Sequence, residues 1–218
     1  MADVDRRRLV IFDLDGTLVD SQSGIIASFR ATLADIGASA TDAELRDLIG
    51  PPLGESFARL GVAQGHIDDV VANYRTYYDQ FGVEQCRLYD GVVDVLTALR
   101  DREFTLAVAT SKRIDFARRM LVNLGVVDFF DSIGGATVDG RLKTKREILN
   151  WTLESLEPRS MPGRWMVGDR REDMLAARQC SLSAIGVLWG YGKREELVES
   201  GAQLLVESPF ELLVELSR

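Results

Sequence analysis

Six short apolar runs, at residues 9–12, 104–109, 132–135, 164–167, 184–188 and 204–206, punctuate the chain, all but the fifth closed directly by a small or polar residue. Runs of this length, bounded by turn residues, predict strands buried on both faces, because a strand covered on both sides has no reason to alternate. Helical patterns separate most of them, and strands alternating with helices predict a parallel sheet, since parallel neighbours need a crossover. The expected class is therefore doubly wound α/β. With 218 residues and 46% hydrophobic content the chain can fill such a core, which excludes a disordered or fibrous protein.

One interval breaks the rhythm. Between the first run and the second lie about ninety residues that read as helices at 24–36, 42–49, 54–60 and 66–81. A right-handed crossover needs only one helix. The surplus predicts an inserted all-helical domain at 18–90, with 1–17 and 91–218 forming the α/β core domain and a helix at 92–102 returning the chain to the sheet.

Charge narrows the functions. Thirty-four acidic side chains against 26 basic ones give a formal charge of -8, a poor counterion for nucleic acid or an anionic membrane, so neither is expected as a partner. Cys86 and Cys180 lie far apart without a Cys/His cluster, which argues against a disulfide framework or a zinc site. His66 is the single histidine, so mechanisms that need several imidazoles are excluded. The charged N-terminus leads into an apolar run too short for a signal peptide or a membrane span, and a cytoplasmic protein is expected. Four lysines stand against 22 arginines, and the positions of those lysines, Lys112, Lys143, Lys145 and Lys193, deserve inspection.

Polar residues collect where the strands end. The first run continues into Asp13, Leu14, Asp15 and Gly16. Alternation predicts that both carboxylates fall on one side of the extended chain, at the edge where open α/β sheets bind ligands. Gly16 permits a tight turn with exposed N–H groups. Two carboxylates so close repel unless a cation lies between them or one is protonated. Thr110 and Ser111 close the second run, where hydroxyl and backbone donors suit an anionic oxygen, although Ser and Thr also cap helices. Asp169 follows the fourth run, and Asp173 falls in the first turn of the helix expected after it, facing back toward Asp169. Carboxylates gathered this way suit Mg2+, a hard cation that takes oxygen ligands.

The ordered set DLDGT, ATSK, TKREIL and GDRRED resembles the four motifs of haloacid dehalogenase-like hydrolases, in the phosphoglycolate phosphatase-like branch with a helical cap. The likeness covers essentially the whole chain, including IGPPLGESF in the inserted domain and the GVLWGYGKREEL tail. It implies a Rossmann-like core with an all-helical cap, and a magnesium-dependent phosphatase acting on a small phosphate monoester through an aspartyl phosphate. Asp13 would be the nucleophile and Asp15 the acid and base, its main-chain carbonyl also on the metal. Thr110 and Lys145 would hold the phosphoryl oxygens, with Ser111 and Gly16 beside them. Asp169 would ligate Mg2+, with Asp173 as a further carboxylate. Lys145 fits the family pattern better than Lys143, because the lysine stands just ahead of an acidic, apolar helix start.

The relatives separate on single residues. Members that cleave carbon-phosphorus bonds use a cap lysine, and this insertion has none; dehalogenases lack the second aspartate, present here as Asp15. Sugar phosphomutases grip a second phosphate with a cap-loop arginine, whereas GPPLGES has no basic residue. Phosphomutase and inorganic pyrophosphatase stand as alternatives within the family. From other classes come a phospho-acceptor module and a catalytically silent phosphate-binding protein. Partners are expected to be limited to a small phosphorylated substrate, in a monomer or homodimer. Arg46, Arg59, Arg75 and the loop at 50–54 are candidates for substrate contact, while Tyr74, Tyr77 and Tyr78 read as packing.

Overall fold

The computed structural model describes residues 8–156 and 163–218; the charged segment 1–7, read above as no signal peptide, lies outside the described residues. Strands β1 (Leu9–Phe12), β4 (Thr105–Arg113), β5 (Ser132–Ala136), β6 (Arg164–Gly168), β7 (Ser183–Val187) and β8 (Leu204–Val206) form one sheet in the order β5-β4-β1-β6-β7-β8. Every neighbouring pair is parallel. The chain moves outward from β1 on one side and then returns to fill the other, which opens a crevice at the carboxyl ends of the central strands.

Helices α5 (Val92–Asp101), α6 (Ile114–Asn123), α7 (Lys145–Ser155), α8 (Arg171–Gln179), α9 (Arg194–Glu199) and α10 (Pro209–Leu216) surround the sheet. Strand periodicity divides its side chains between two layers. Leu9, Ile11, Ala107, Ala109, Met166 and Ala184 pack with Ile148 and Leu149 of α7, Met174 of α8 and Leu197 of α9. Burying each large apolar side chain contributes about 1.5–3 kcal/mol. The alanines on β4 let α7 approach closely, and they bring its first residue to the sheet edge.

The chain divides into two compact units, Met1–Val19 with Leu88–Arg218, and Asp20–Arg87. The two connections pass through a short ribbon of β2 (Val19–Asp20) and β3 (Arg87–Leu88). The smaller unit holds α1 (Gln22–Asp35), α2 (Asp42–Arg46), α3 (Leu53–Arg59) and α4 (Ile67–Tyr77). Its core is aromatic: Phe29 lies 5.1 Å from Phe57 and 4.8 Å from Tyr74, which stacks on Tyr78 at 5.9 Å. Tyr74 and Tyr78 are thus buried packing residues, and Tyr77 packs its ring 5.9 Å from Phe81 while its hydroxyl donates to Asp35. Arg46, Arg59, Arg75 and His66 are exposed.

Three elements depart from the sequence expectation. The helix expected at 66–81 starts as a 3-10 turn, runs as α4 and widens to a π turn over Tyr78–Gly82. That widening carries Gly82 against α1, where an added Cβ would lie 2.5 Å from Ser28 Oγ. The helix expected at 42–49 stops at Arg46, after a capping box between Thr41 and Glu44. The second sheet strand outruns its apolar stretch and reaches Arg113, with a register shift against β5 between Thr110 and Arg113. Among the described residues no helix is long and apolar enough to cross a membrane.

Candidate active site

Strand β1 stops at Phe12, and the Asp13 N–H donates to the Val167 carbonyl at 2.8 Å. Beyond that point the chain turns rather than extends, with Gly16 at φ +84°. The alternation that placed Asp13 and Asp15 on one side of an extended chain therefore ceases at Phe12, and their carboxylates take different partners. A Cβ on Gly16 would lie 2.2 Å from Asp169 Oδ2, so glycine is required by space as well as by backbone angle.

Asp13 meets Asp169 and Asp173 in one cluster, their oxygens within 4.8 Å of one another. Asp169 and Asp173 are 0% exposed and Asp13 7%. Helix α8 begins at Arg171, so Asp173 sits in its first turn, where the Arg170 N–H donates to Asp173 Oδ2 at 3.0 Å. Carboxylates favour such a position, because the first-turn N–H groups lack helical acceptors. Asp169 accepts from the Thr17 hydroxyl at 3.1 Å and from the Tyr191 N–H at 2.8 Å.

Lys145 answers the cluster. Thr144 and Glu147 form a capping box that starts α7, fixing Lys145 as the first helical residue. A cation there opposes the helix dipole, so its placement is explained by what it faces. Its ammonium lies 2.7 Å from both Asp13 Oδ1 and Asp173 Oδ1, and donates to the Ala109 carbonyl at 3.1 Å. Burial works against its charge, but attraction from Asp13 and Asp173 outweighs that and holds Lys145 above the ordinary lysine value. Lys143, two residues earlier, is exposed, and its alkyl chain lies beside Gly140.

The carboxyls respond in turn. Burial pushes Asp13 up to about 6, with Lys145 opposing and Asp173 adding to the shift. Burial also raises Asp169 well above its ordinary range, and the charges of Asp13 and Asp173 raise it further. Asp13 Oδ1 and Asp173 Oδ1 are buried without an aligned hydrogen-bond donor. Three carboxylates against one ammonium leave two formal negative charges. A divalent cation with oxygen ligands fits that imbalance and the donor set of three buried carboxylates.

The remaining expected residues surround this cluster. Thr110, buried at the end of the apolar part of β4, accepts from the Lys112 N–H at 3.2 Å. Ser111 follows it and is half-buried. The Asp15 carboxylate does not join the three clustered aspartates; Lys112 Nζ donates to its two oxygens at 3.0 and 2.8 Å. Sequence reasoning gave Lys112 no role, although its scarcity as a lysine was a signal. It also missed Thr17 and the loop around Tyr191, whose glycines at 190 and 192 were the available clue.

A family model described as haloacid dehalogenase-like hydrolase matches residues 10–187. The chain belongs to this family. Among curated relatives, a protein named tyrosine-protein kinase PtkA from Mycobacterium tuberculosis is 40% identical over 190 residues, 86% of this chain and 64% of that protein. The chain thus spans less than two thirds of that relative's length. A 5'-nucleotidase from Pseudomonas aeruginosa is 36% identical over 190 residues, covering 86% of each chain. A crystal structure described as a predicted phosphatase from Clostridium acetobutylicum superposes with a TM-score of 0.91 at 35% identity, covering 97% of this chain and 98% of that one.

Proposed function

We propose that the protein is a magnesium-dependent phosphatase that hydrolyses a small phosphate monoester, phosphoglycolate-like or a nucleoside monophosphate, through an aspartyl phosphate. The observation that carries this reading is the buried Asp13 carboxylate, held at 2.7 Å by Lys145, with Asp15 two residues further on and outside the carboxylate cluster. A nucleophile needs one oxygen kept aimed at phosphorus, and a proton carrier needs to stand outside the carboxylates that gather charge around it.

In this reading Asp13 attacks phosphorus and the ester P–O bond breaks. The leaving oxygen keeps the electron pair and takes a proton from Asp15. Water then attacks the phosphorus of the aspartyl phosphate, Asp15 takes its proton, and inorganic phosphate and the free Asp13 carboxylate result. Dividing one displacement into two is the usual gain of covalent catalysis. Thr110 suits a phosphoryl oxygen, because the Lys112 N–H already occupies its oxygen and leaves the hydroxyl hydrogen to donate outward. Lys145 supplies fixed positive charge, which phosphoryl transfer chiefly demands.

Asp13, Asp169, Asp173 and the Asp15 carbonyl are the groups that would hold Mg2+. Bound there, the ion would neutralise charge on the phosphoryl oxygens.

The test is phosphate release from 2-phosphoglycolate, nucleoside monophosphates, pyrophosphate and hexose 1-phosphates with Mg2+. Release from a monoester that Asp13→Asn abolishes is expected. Preference for pyrophosphate, or isomerisation of a hexose phosphate without release, would redirect the assignment within the family. Absence of release from every ester, with magnesium binding intact, would overturn it.

A further inference from the structure

Lys112 is placed by an irregularity. Register between β4 and β5 holds through Thr110 and resumes, shifted, at Arg113. A shift of this kind breaks strand alternation and re-aims the residues inside it, and such features gather beside active sites. Here it delivers Lys112 to the turn that follows β1, where its ammonium contacts both Asp15 oxygens across 97 residues of sequence. The side chains of Lys112 and Asp15 are 8% and 16% exposed.

Stability alone does not account for the pair. Burying two charges costs desolvation that their attraction often fails to exceed, so a buried ion pair is weak support for a stabilising role. What the pair does is geometric. An aspartate has two rotatable side-chain bonds, and contact of one ammonium with both oxygens fixes them before substrate arrives. The same residue's N–H donates to Thr110 Oγ1, so Lys112 orders two groups at the strand edge, one through its backbone and one through its side chain.

We propose that Lys112 is a positioning residue for the reaction: it holds Asp15 at the angle from which a proton passes to the leaving oxygen and, later, is taken from water. For the first step Asp15 carries a proton, drawn from solvent or kept from the water of the preceding turnover, on one oxygen while the other stays with Lys112; it gives that proton to the leaving oxygen and regains one from the attacking water, so the pair need not dissociate. This inference rests on the phosphatase reading above, in which Asp15 is the proton carrier.

The leaving group tests it. Phenyl phosphate and 4-nitrophenyl phosphate have nearly the same shape, but 4-nitrophenolate departs with little need for a proton and phenolate does not. Lys112→Met is expected to lower kcat/KM on phenyl phosphate about a hundredfold and on 4-nitrophenyl phosphate by less than about tenfold, since general acid catalysis contributes at that scale. Lys112→Arg, which keeps charge and reach, is expected to recover most of the difference. Asp15→Asn should show the same selectivity between esters. Equal losses on both esters, or none, would overturn the proposal while leaving the phosphatase reading intact. Wild-type protein that bound magnesium and released phosphate from neither aryl ester nor any of the esters screened above would overturn that reading and this proposal with it. Thermal melts accompany each variant; should Lys112→Met be unfolded at the assay temperature, Lys112→Gln carries the same comparison.

Discussion

The backbone N–H of Tyr191 donates to Asp169 Oδ2 at 2.8 Å, so a loop 22 residues downstream holds a buried carboxylate of the site. That loop passes too close for side chains at its glycines. A Cβ on Gly192 would lie 1.8 Å from the Asp169 carbonyl oxygen, and one on Gly190 would lie 2.3 Å from the Gly16 carbonyl oxygen. The obstructing atoms are backbone, which cannot swing aside.

Gly192→Ala is therefore expected to push the loop outward and strip Tyr191 from Asp169. Groups that orient a metal ligand typically change metal affinity 10–100-fold when lost, and a loss of about that size is predicted for Mg2+ by titration calorimetry. The same variant should cost about 1–3 kcal/mol of stability in urea. Gly65→Ala, where nothing lies within 4 Å, is the control and should leave magnesium affinity unchanged. Equal affinity for wild type and Gly192→Ala would show that the loop does not tune Asp169.

Trp189 ties the start of the same loop to β1's turn, its indole N–H donating to the Thr17 carbonyl at 3.0 Å. Trp189→Phe keeps most of the apolar contact and removes the donor. The net value of one such bond is about 1 kcal/mol, and a lowering of Tm by roughly 2–4 °C is expected in a chain of this size. A calorimetric scan that shows no lowering would refute the assignment.

Lys145 and Lys143 give a sharper contrast. Replacing Lys145 by Met leaves Asp13 and Asp173 facing each other without the ammonium between them. Phosphate release is expected to fall by about a thousandfold, the scale at which a single preorganised charge contributes. Lys143→Met removes only an exposed side chain and is expected to stay within about twofold of wild type, since such surface changes lie within about 0.5 kcal/mol. Survival of the Lys145 variant with collapse of the Lys143 variant would reverse the assignment.

Local signals in the sequence reached as far as local forces decide. Buried strands show as apolar runs, so β1 and β8 lie where the runs do; the acidic, apolar stretch after Lys145 marks the start of α7 within a residue, whereas the Thr144–Glu147 capping box that fixes it is seen only in the structure. Strand β4 was cut short because Thr110, Ser111 and Lys112 are polar, and polarity at a sheet edge marks a site as readily as it marks a loop. The π turn after α4 has no local signature beyond Gly82, since it answers a contact with α1. The same limit governs the site. Asp13, Asp169, Asp173 and Lys145 stand at strand ends or helix starts and were found there. Lys112 reaches Asp15 through a shifted register, and Thr17 reaches Asp169 across 152 residues, so neither leaves a trace in local periodicity.

In the proposed magnesium-dependent reading, the raised carboxyls would couple binding of the ion to pH. Burial pushes Asp13 up to about 6 in the folded chain against an ordinary 3.8, and burial also raises Asp169. Between those values the folded state holds protons that the unfolded state has released. Their contribution to stability is complete below the ordinary value and is lost as pH rises through the folded one. Metal-free protein should therefore melt at a lower temperature at pH 7.5 than at pH 5. Lys145, held above its ordinary value, stays charged throughout this window and adds no slope. The exposed carboxylates with lowered values, Asp139 at about 2 among them, act in the opposite sense but below pH 5. Magnesium must displace the same protons, so its stabilisation grows as they leave. At about 100 times its Kd, a ligand stabilises by about 2.7 kcal/mol, or roughly 5–10 °C of Tm for a chain of this length. Melts in EDTA and in excess Mg2+ at both pH values are expected to show that full shift at pH 7.5 and a smaller one at pH 5. An equal shift at both would mean that the ion binds elsewhere than among Asp13, Asp169 and Asp173.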